Sequence, residues 1–397
     1  MSNKDNKKVC IITTVHTPFD IRIFHKEAKT LLASGYEITL IATYPNNQEE
    51  FVDGIKICPL PNPKSRFERI FINTYRALKL AIKEKADIYQ YPDPELHFVA
   101  FLLKILTGKI VIHDIHEHYS KDIIAKQWIP KHYRKLYLFF FNIYERLFVP
   151  YLDALIYVVP SIADRYKYFK KEKVEVRNYP VIKMFESLSD EDIEQNRDYQ
   201  RIIFNGLMSP ERGIREIIEA ISIVASKFPN VNLDLIDHFS TIGSSKEESF
   251  KEEIEKLIKK YNLEKNITIH KLCKQQEMPV LLSKAATGLV LYLPVSENNV
   301  IGLPNKIFEY MICKVAVLCS NFPLYEEVIQ ESQCGYSVDP TSPALIADKI
   351  MLLLSDKDKL KEMGMAGYRK IYEKFNWENE STKFLNLYDS LSKGKVK

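Results

Sequence analysis

Short apolar runs alternate with longer amphipathic segments along most of the chain. In the first half, residues 9–14, 37–42, 55–59, 88–90, 109–114 and 154–158 have the length and apolar density of buried strands. Between them, 23–34 and 66–83 repeat apolar residues three and four apart, the spacing of one helix face. Strands alternating with helices predict a parallel, doubly wound sheet. The alternation stops over 181–200, where Ser187 to Asp192 and Asn196 to Asp198 are polar and acidic, a linker composition. It restarts with strands at 201–205, 232–236, 267–270, 288–293 and 315–320. Helices are expected at 214–227, 249–261, 278–285, 344–354, 359–374 and 378–391. The expected architecture is α/β, with two doubly wound, Rossmann-like parallel-sheet domains facing a cleft. The first spans 1–180, a linker 181–200 and the second 201–375, while 376–397 forms a terminal helix crossing back to the first.

Composition agrees with this and removes some alternatives. A chain of 397 residues suits two domains better than one core. The content of 46% hydrophobic and 27% charged residues is that of a globular protein. Six scattered cysteines, with no C-x-x-C pair, point to reduced thiols and away from structural zinc. The first apolar run is too short for a signal-peptide core, and no run suffices for a membrane span. The expected location is therefore cytoplasmic. Charge is uneven. Residues 1–180 carry 28 Lys and Arg against 20 Asp and Glu, and the remainder 28 against 32, balances of +8 and −4 that make the net +4. A basic first half beside an acidic second half suggests that the first faces something anionic.

The segment from Gly302 to Met311 carries the most chemistry. It lies between the apolar runs 288–293 and 315–320, so it forms the turn and helix of a βαβ unit, where ligands sit at the carboxyl ends of strands. Pro304 suits the first helical position, and the free N–H groups after it, with Asn305, suit a diphosphate. Lys306 opposes the helix dipole. It either pairs with Glu309 or supplies charge to a phosphate. Glu309, one turn further in, suits the two hydroxyls of a ribose. A second strand-turn-helix runs from Asn205 to Gly213. Its Gly206 makes the turn, and Arg212 offers a planar fork to phosphate oxygens.

In the first half, His113, Asp114, His116 and His118 follow a strand. They read as ligand contacts or a proton carrier rather than as a metal site. The turn from Val15 to Arg22 has no glycine, which argues against a G-x-G-x-x-G nicotinamide site. Asp20 and Arg22 either form a capping salt pair or touch a ligand. Walker glycine-lysine-serine and G-x-S-x-G motifs are absent, as is any nucleic-acid-binding motif. Residues 128–148 interleave Lys131, Arg134 and Lys135 with Tyr133, Phe139 and Phe140. They suit either a membrane interface or a core with a solvated basic face. In 66–83 the aromatics Phe67, Phe71 and Tyr75 read as core.

Together these segments resemble the GT-B glycosyltransferases of the large retaining family 4, the group 1 enzymes of bacterial surface polysaccharide synthesis. The resemblance rests on Val15–Arg22, Tyr91–Glu95, Asp114–Glu117, Asn178–Pro180, Gly206–Gly213, Pro304–Met311 and Phe375–Trp377. It implies a nucleoside-diphosphate sugar, UDP- or GDP-linked, held by the second domain, and a glycan or lipid-linked acceptor held by the first. It implies Glu309 on the ribose, Arg212 on the diphosphate in place of the usual lysine, and His116 on the transferred sugar. No metal is implied, in keeping with the missing D-x-D motif. It further implies retention at the anomeric carbon, while the basic, aromatic segment 128–148 extends the expected location to the inner face of the cell membrane. Three positions depart from the pattern. Ile301 stands where the first acid of E-x₇-E belongs, Leu207 replaces an arginine, and Asp237-His238 replaces a glycine pair. A nucleotide-sugar epimerase and a non-catalytic glycan-assembly partner are the alternative readings.

Overall fold

The computed structural model describes residues 7–46, 48–125, 129–186, 189–237, 245–270 and 277–393. The chain forms two units, 1–178 with 377–397, and 179–376. The first is built on eight strands: β1 (Lys8–Ile12), β2 (Glu37–Thr43), β3 (Glu50–Val52), β4 (Ile55–Leu60), β5 (Ile88–Tyr91), β6 (Ile110–Ile115), β7 (Ala154–Tyr157) and β8 (Glu172–Glu175). Their order is β3-β4-β2-β1-β5-β6-β7-β8, parallel except for β3, which runs antiparallel to β4. Apart from Lys8 at the start of β1, the central strands β1, β5 and β6 are fully buried, as a sheet covered on both faces requires.

The second unit holds β9 (Asp198–Gly206), β10 (Asn232–Asp237), β11 (Ile267–His270), β12 (Ala285–Val290), β13 (Ala316–Ser320) and β14 (Gly335–Val338). All pairs are parallel, in the order β11-β10-β9-β12-β13-β14. Helix Ile214–Lys227 packs Ile214, Ile217, Ile218, Ile221 and Val224 on this sheet, the three-and-four spacing of its sequence. Gly213 before it adopts a φ of 70°, and a Cβ there would stand 2.2 Å from the Leu291 carbonyl oxygen. Only glycine lets the helix start so close to β12.

The structure differs from expectation in several places. Residues 181–200 are not a free linker. They belong to the second unit, with a turn at Ile182–Phe185, a helix at Asp190–Asn196 and the start of β9. The Arg197 guanidinium donates to the carbonyls of Ser283, Cys313 and Lys314, which fastens the stretch to that unit. The expected helices 23–34 and 66–83 both begin as π-helix, at Ile21–Ala28 and Glu68–Asn73. In an α-helix, residues five apart lie about 140° apart around the axis. The wider π-turn brings such residues onto one side, here Arg22 and Glu27, both buried. The terminal helix Trp377–Lys393 packs on the first unit. Trp377 Nε1 donates to Thr30 Oγ1 at 2.9 Å, and Glu380 accepts from the Arg177 backbone N–H at 2.8 Å.

Candidate active site

Each sheet has one point from which its parallel connections leave in opposite directions. That point is where loops diverge at the carboxyl ends and leave room for a ligand. In the second unit it lies between β9 and β12. The loop after β9 carries Gly206 and Arg212, and the chain after β12 leads to the helix Asn305–Ile312. Lys306 folds back over Gly206. A Cβ at Gly206 would meet Lys306 Cε at 2.7 Å, so the absent side chain is what admits the lysine. Among the described residues Lys306 forms no ion pair, and the expected alternative pairing with Glu309 is not made. Glu309 instead accepts from Asn205 Nδ2 at 3.3 Å. Tyr310, buried beside it, accepts from the Asn205 backbone N–H at 3.0 Å and packs its ring against Gly288. Asn205 and Glu309 are thus anchored from below by the sheet.

Pro304 corrects one expectation. With φ −75° and ψ 135° it is the N-cap residue, and Asn305 is the first helical residue. No side chain caps this end and no acid lies in the first turn. The exposed amides and Lys306 therefore present positive charge together, which suits an anion. Arg212 ends a short 3₁₀ turn, Pro210–Arg212, and lies over the Tyr292 ring, 3.8 Å from its centroid. The Leu293 backbone N–H donates to the Glu211 carbonyl at 2.9 Å, tying that turn to the end of β12. Stacking fixes the guanidinium plane while leaving its edge to bind oxygens.

In the first unit that point lies between β1 and β5. The buried Asp93 after β5 accepts from Thr13 Oγ1 at 2.8 Å, the Thr14 backbone N–H at 2.7 Å and the Val15 backbone N–H at 3.2 Å. It holds the β1 loop closed against β5. His16 in that loop pairs with Asp20 at 3.3 Å and sits 3.7 Å from Asp93. Burial disfavours the His16 cation, but the hydrogen bond to Asp20 and the Asp93 charge outweigh it and raise its pKa. Burial would likewise raise the Asp20 carboxyl, yet His16 and the Ile23 backbone N–H lower it to about 2. Asp20 caps the π-helix, accepting from the Arg22 and Ile23 backbone N–H groups. The salt pair with Arg22, one of the two readings of these residues, does not form.

The Arg22 guanidinium instead grips Asp114 with two bonds, 3.1 and 2.8 Å, and lies 2.9 Å from Glu27. His116 Nε2 bonds the same Asp114 at 2.5 Å. Behind them Gln90 Nε2 donates to Glu27 at 2.6 Å, and the Tyr388 hydroxyl of the terminal helix donates to Gln90. One chain of contacts therefore runs from His116 through Asp114, Arg22, Glu27 and Gln90 to Tyr388. Burial pushes Asp114 up, but Arg22 and then His116 hold it well below the usual carboxylate range. Burial and the nearby Asp114 charge push Glu27 well above it, against the pull of Arg22. Glu27, Asp114 and His116 are close enough to share a metal ion. The guanidinium already answers both carboxyls, and the set fits an ion-pair relay better. The three histidines do not converge. His113 is buried against the Tyr91 carbonyl, with burial and then His97 lowering it to about 3, and His118 bonds Ser120 Oγ. His116 alone of the three joins Asp114. The relay partners Glu27, Gln90 and Tyr388 went unnoticed in the sequence, because nothing in their spacing marks them. Asp93 was visible only within Tyr91–Glu95.

Residues 186–370 match the family described as Glycosyl transferases group 1, and 22–178 match Glycosyltransferase Family 4. Two glycosyltransferase domains thus account for most of the chain, on a GT-B fold. It is 22% identical over 226 residues to an uncharacterized glycosyltransferase of Methanocaldococcus jannaschii, covering 57% of this chain and 58% of that one. The α-maltose-1-phosphate synthase of Mycolicibacterium smegmatis shares 29% over 98 residues, 23% of this chain and 25% of its own. The chain thus spans less than two thirds of either curated relative. Among solved structures, sucrose-phosphate synthase of Thermosynechococcus elongatus superposes with a TM-score of 0.79 at 17% identity, over 98% of this chain and all of the other. Anabaena HepE, in complex with UDP and glucose, superposes at 0.69 and 13%, over 97% of this chain and all of its own.

The chain keeps this fold where it departs from the family pattern. Asp237, in place of a glycine, is buried and accepts from the Met208 backbone N–H at 3.3 Å, bracing the β9 loop. Ile301 ends the short helix Glu297–Ile301, and Leu207 is exposed. His238 lies outside the described residues.

Proposed function

We propose that the chain transfers a sugar, with retention, from a nucleoside-diphosphate donor to a glycan or lipid-linked acceptor in surface polysaccharide synthesis. The observation that carries this is Lys306 lying over Gly206 at the uncapped start of helix Asn305–Ile312. The second unit holds the donor. Lys306, Arg212 and the Asn305 and Lys306 amides neutralise the departing diphosphate, the charge that grows as the anomeric bond breaks. Glu309, oriented by Asn205, takes the ribose hydroxyls. The first unit holds the acceptor, and His116, set by Asp114, contacts the sugar. Retention with no dedicated nucleophile leaves positioning and charge stabilisation as the main catalytic effects. Uridine is the favoured base, since the HepE neighbours were solved with UDP and with UDP-glucose.

Calorimetry of the full chain with UDP and GDP tests this. UDP is expected to bind, and more tightly than GDP. Binding of neither would favour a non-catalytic partner. Conversion of free UDP-sugar without acceptor would instead mark an epimerase. Proton NMR of the anomeric signal in the product decides retention.

A further inference from the structure

Helix Lys131–Phe148 runs for 18 residues and buries one of them, the acid Glu145. Helical spacing divides its surface into three strips. One edge, with Arg134, Leu138 and Glu145, packs on the protein. Arg134 donates to the Ile124 and Ile129 carbonyls, and Glu145 is held by Arg165 and Tyr166. A second strip, Tyr133, Leu136, Phe140, Ile143 and Leu147, is apolar and exposed, with Phe140 60% accessible. The third carries Lys131, Lys135 and Arg146, with Phe139 at 57%. The helix therefore has an apolar stripe bordered by cations, and its lone acid is neutralised inside.

The neighbouring helices extend this face. His97–Thr107 packs against Lys131–Phe148 on one side and against Thr74–Glu84 on the other. It exposes Phe98, Ile105 and Leu106 and contains no acid. The continuous helix Glu68–Asn73 and Thr74–Glu84 exposes Phe71, Tyr75 and Ile82, with Phe67 just before it. These positions are spaced along one side of the helix. The expectation that Phe67, Phe71 and Tyr75 are core residues is therefore overturned. Both acids of that helix are engaged, Glu68 with Arg76 and Glu84 with Lys8 and Lys56. Arg76, Lys79 and Lys83 complete the basic border.

We infer that this three-helix layer of the first unit docks on an anionic lipid surface, with its aromatics in the headgroup region and its lysines against lipid phosphates. A protein-facing hot spot concentrates apolar contact at its centre. Here the exposed aromatics are spread over three neighbouring helices with cations at the margins and no exposed acid, which is how an interfacial helix is built. Among the described residues no helix is long and apolar enough to cross a membrane, so the layer lies on the surface. An acceptor with a lipid tail would then reach the enzyme at the bilayer. The inference does not depend on the donor reading, and the two fail separately, because vesicle binding and nucleotide calorimetry are measured independently.

Flotation of the full chain with vesicles tests it. Vesicles of phosphatidylcholine with phosphatidylglycerol are expected to carry the protein upward, and pure phosphatidylcholine vesicles are not. Each lysine near an anionic surface contributes about a fivefold factor in partition, so Lys131→Ser with Lys135→Ser should lower it roughly 25-fold. High salt should have a similar effect. Phe139→Ser with Phe140→Ser should abolish flotation at low salt. Both sites are exposed, so melting temperatures should not move. Absence of flotation with any vesicle overturns the inference, as does equal binding to neutral vesicles. Sedimentation showing a dimer that the Phe139/Phe140 variant loses, without vesicle recruitment, would assign the face to a second copy of the chain.

Discussion

Lys306→Ala is expected to lower turnover by about 100- to 1000-fold and to weaken UDP binding, without lowering stability. Removing one preorganised donor to developing charge typically costs that much. The stability half follows from the helix. A cation in the first turn opposes the dipole, and Lys306 has no ion-pair partner among the described residues to offset this. Without ligand, its loss should leave the melting temperature unchanged or slightly raised. A structural lysine would behave in the opposite way. Gly206 supplies an independent handle. A Cβ there would meet the flexible Lys306 side chain at 2.7 Å rather than backbone, so the lysine must swing away. Gly206→Ala should therefore reproduce part of the Lys306→Ala defect at little cost in folding. The double variant should be no worse than Lys306→Ala alone, because both changes remove one interaction. Wild-type turnover and UDP affinity in Lys306→Ala would sink the assignment. Additive losses in the double variant would show that Gly206 acts on its own.

What could be read from the sequence divides along physical lines. Helix Ile214–Lys227 matches its expected bounds, because a single amphipathic face sets both its length and its packing. The buried central strands were legible for the same reason. Strands β3, β8 and β14 were missed. They are three or four residues long and lie at sheet edges, where half-buried residues leave no apolar run. The π-turns were invisible because apolar periodicity reports which side faces inward, not how tightly the helix is wound. In the candidate site, Gly206, Arg212, Lys306 and Glu309 stood out because turns and helix starts carry local signals. The Tyr388–Gln90–Glu27 path did not, since it joins residues as far apart as 27 and 388 through the fold alone. The exposed aromatics from Phe67 to Tyr75 misled for a related reason. Composition does not tell whether an apolar stripe has found a partner.

Arg22→Met is expected to lower the stability of the first unit by about 3–5 kcal/mol, the usual cost of leaving a buried charge without its partner. At roughly 2–4 °C per kcal/mol for a unit of this size, the melting temperature should fall by about 10 °C. Arg22 is 3% exposed and Asp114 is fully buried, so water cannot replace the lost contact. The pH dependence should invert. In the native protein the Asp114 carboxyl lies well below its unfolded value, so its stabilisation is present above about pH 4 and is lost as pH falls through the folded pKa. Without the guanidinium, burial, the first influence on Asp114, raises its pKa instead. Its contribution then favours the fold below about pH 4 and is lost as pH rises. The gap in melting temperature between variant and native protein should therefore narrow at pH 4 and widen at pH 7. Asp114→Asn added to Arg22→Met should recover much of the loss, because a neutral amide has no charge to strand. A gap that stays constant from pH 4 to pH 7, or a double variant no more stable than Arg22→Met, would mean that the Arg22–Asp114 ion pair does not hold this end of the sheet together. The fold would then depend on the contacts of Arg22 with Glu27 and the Val176 carbonyl.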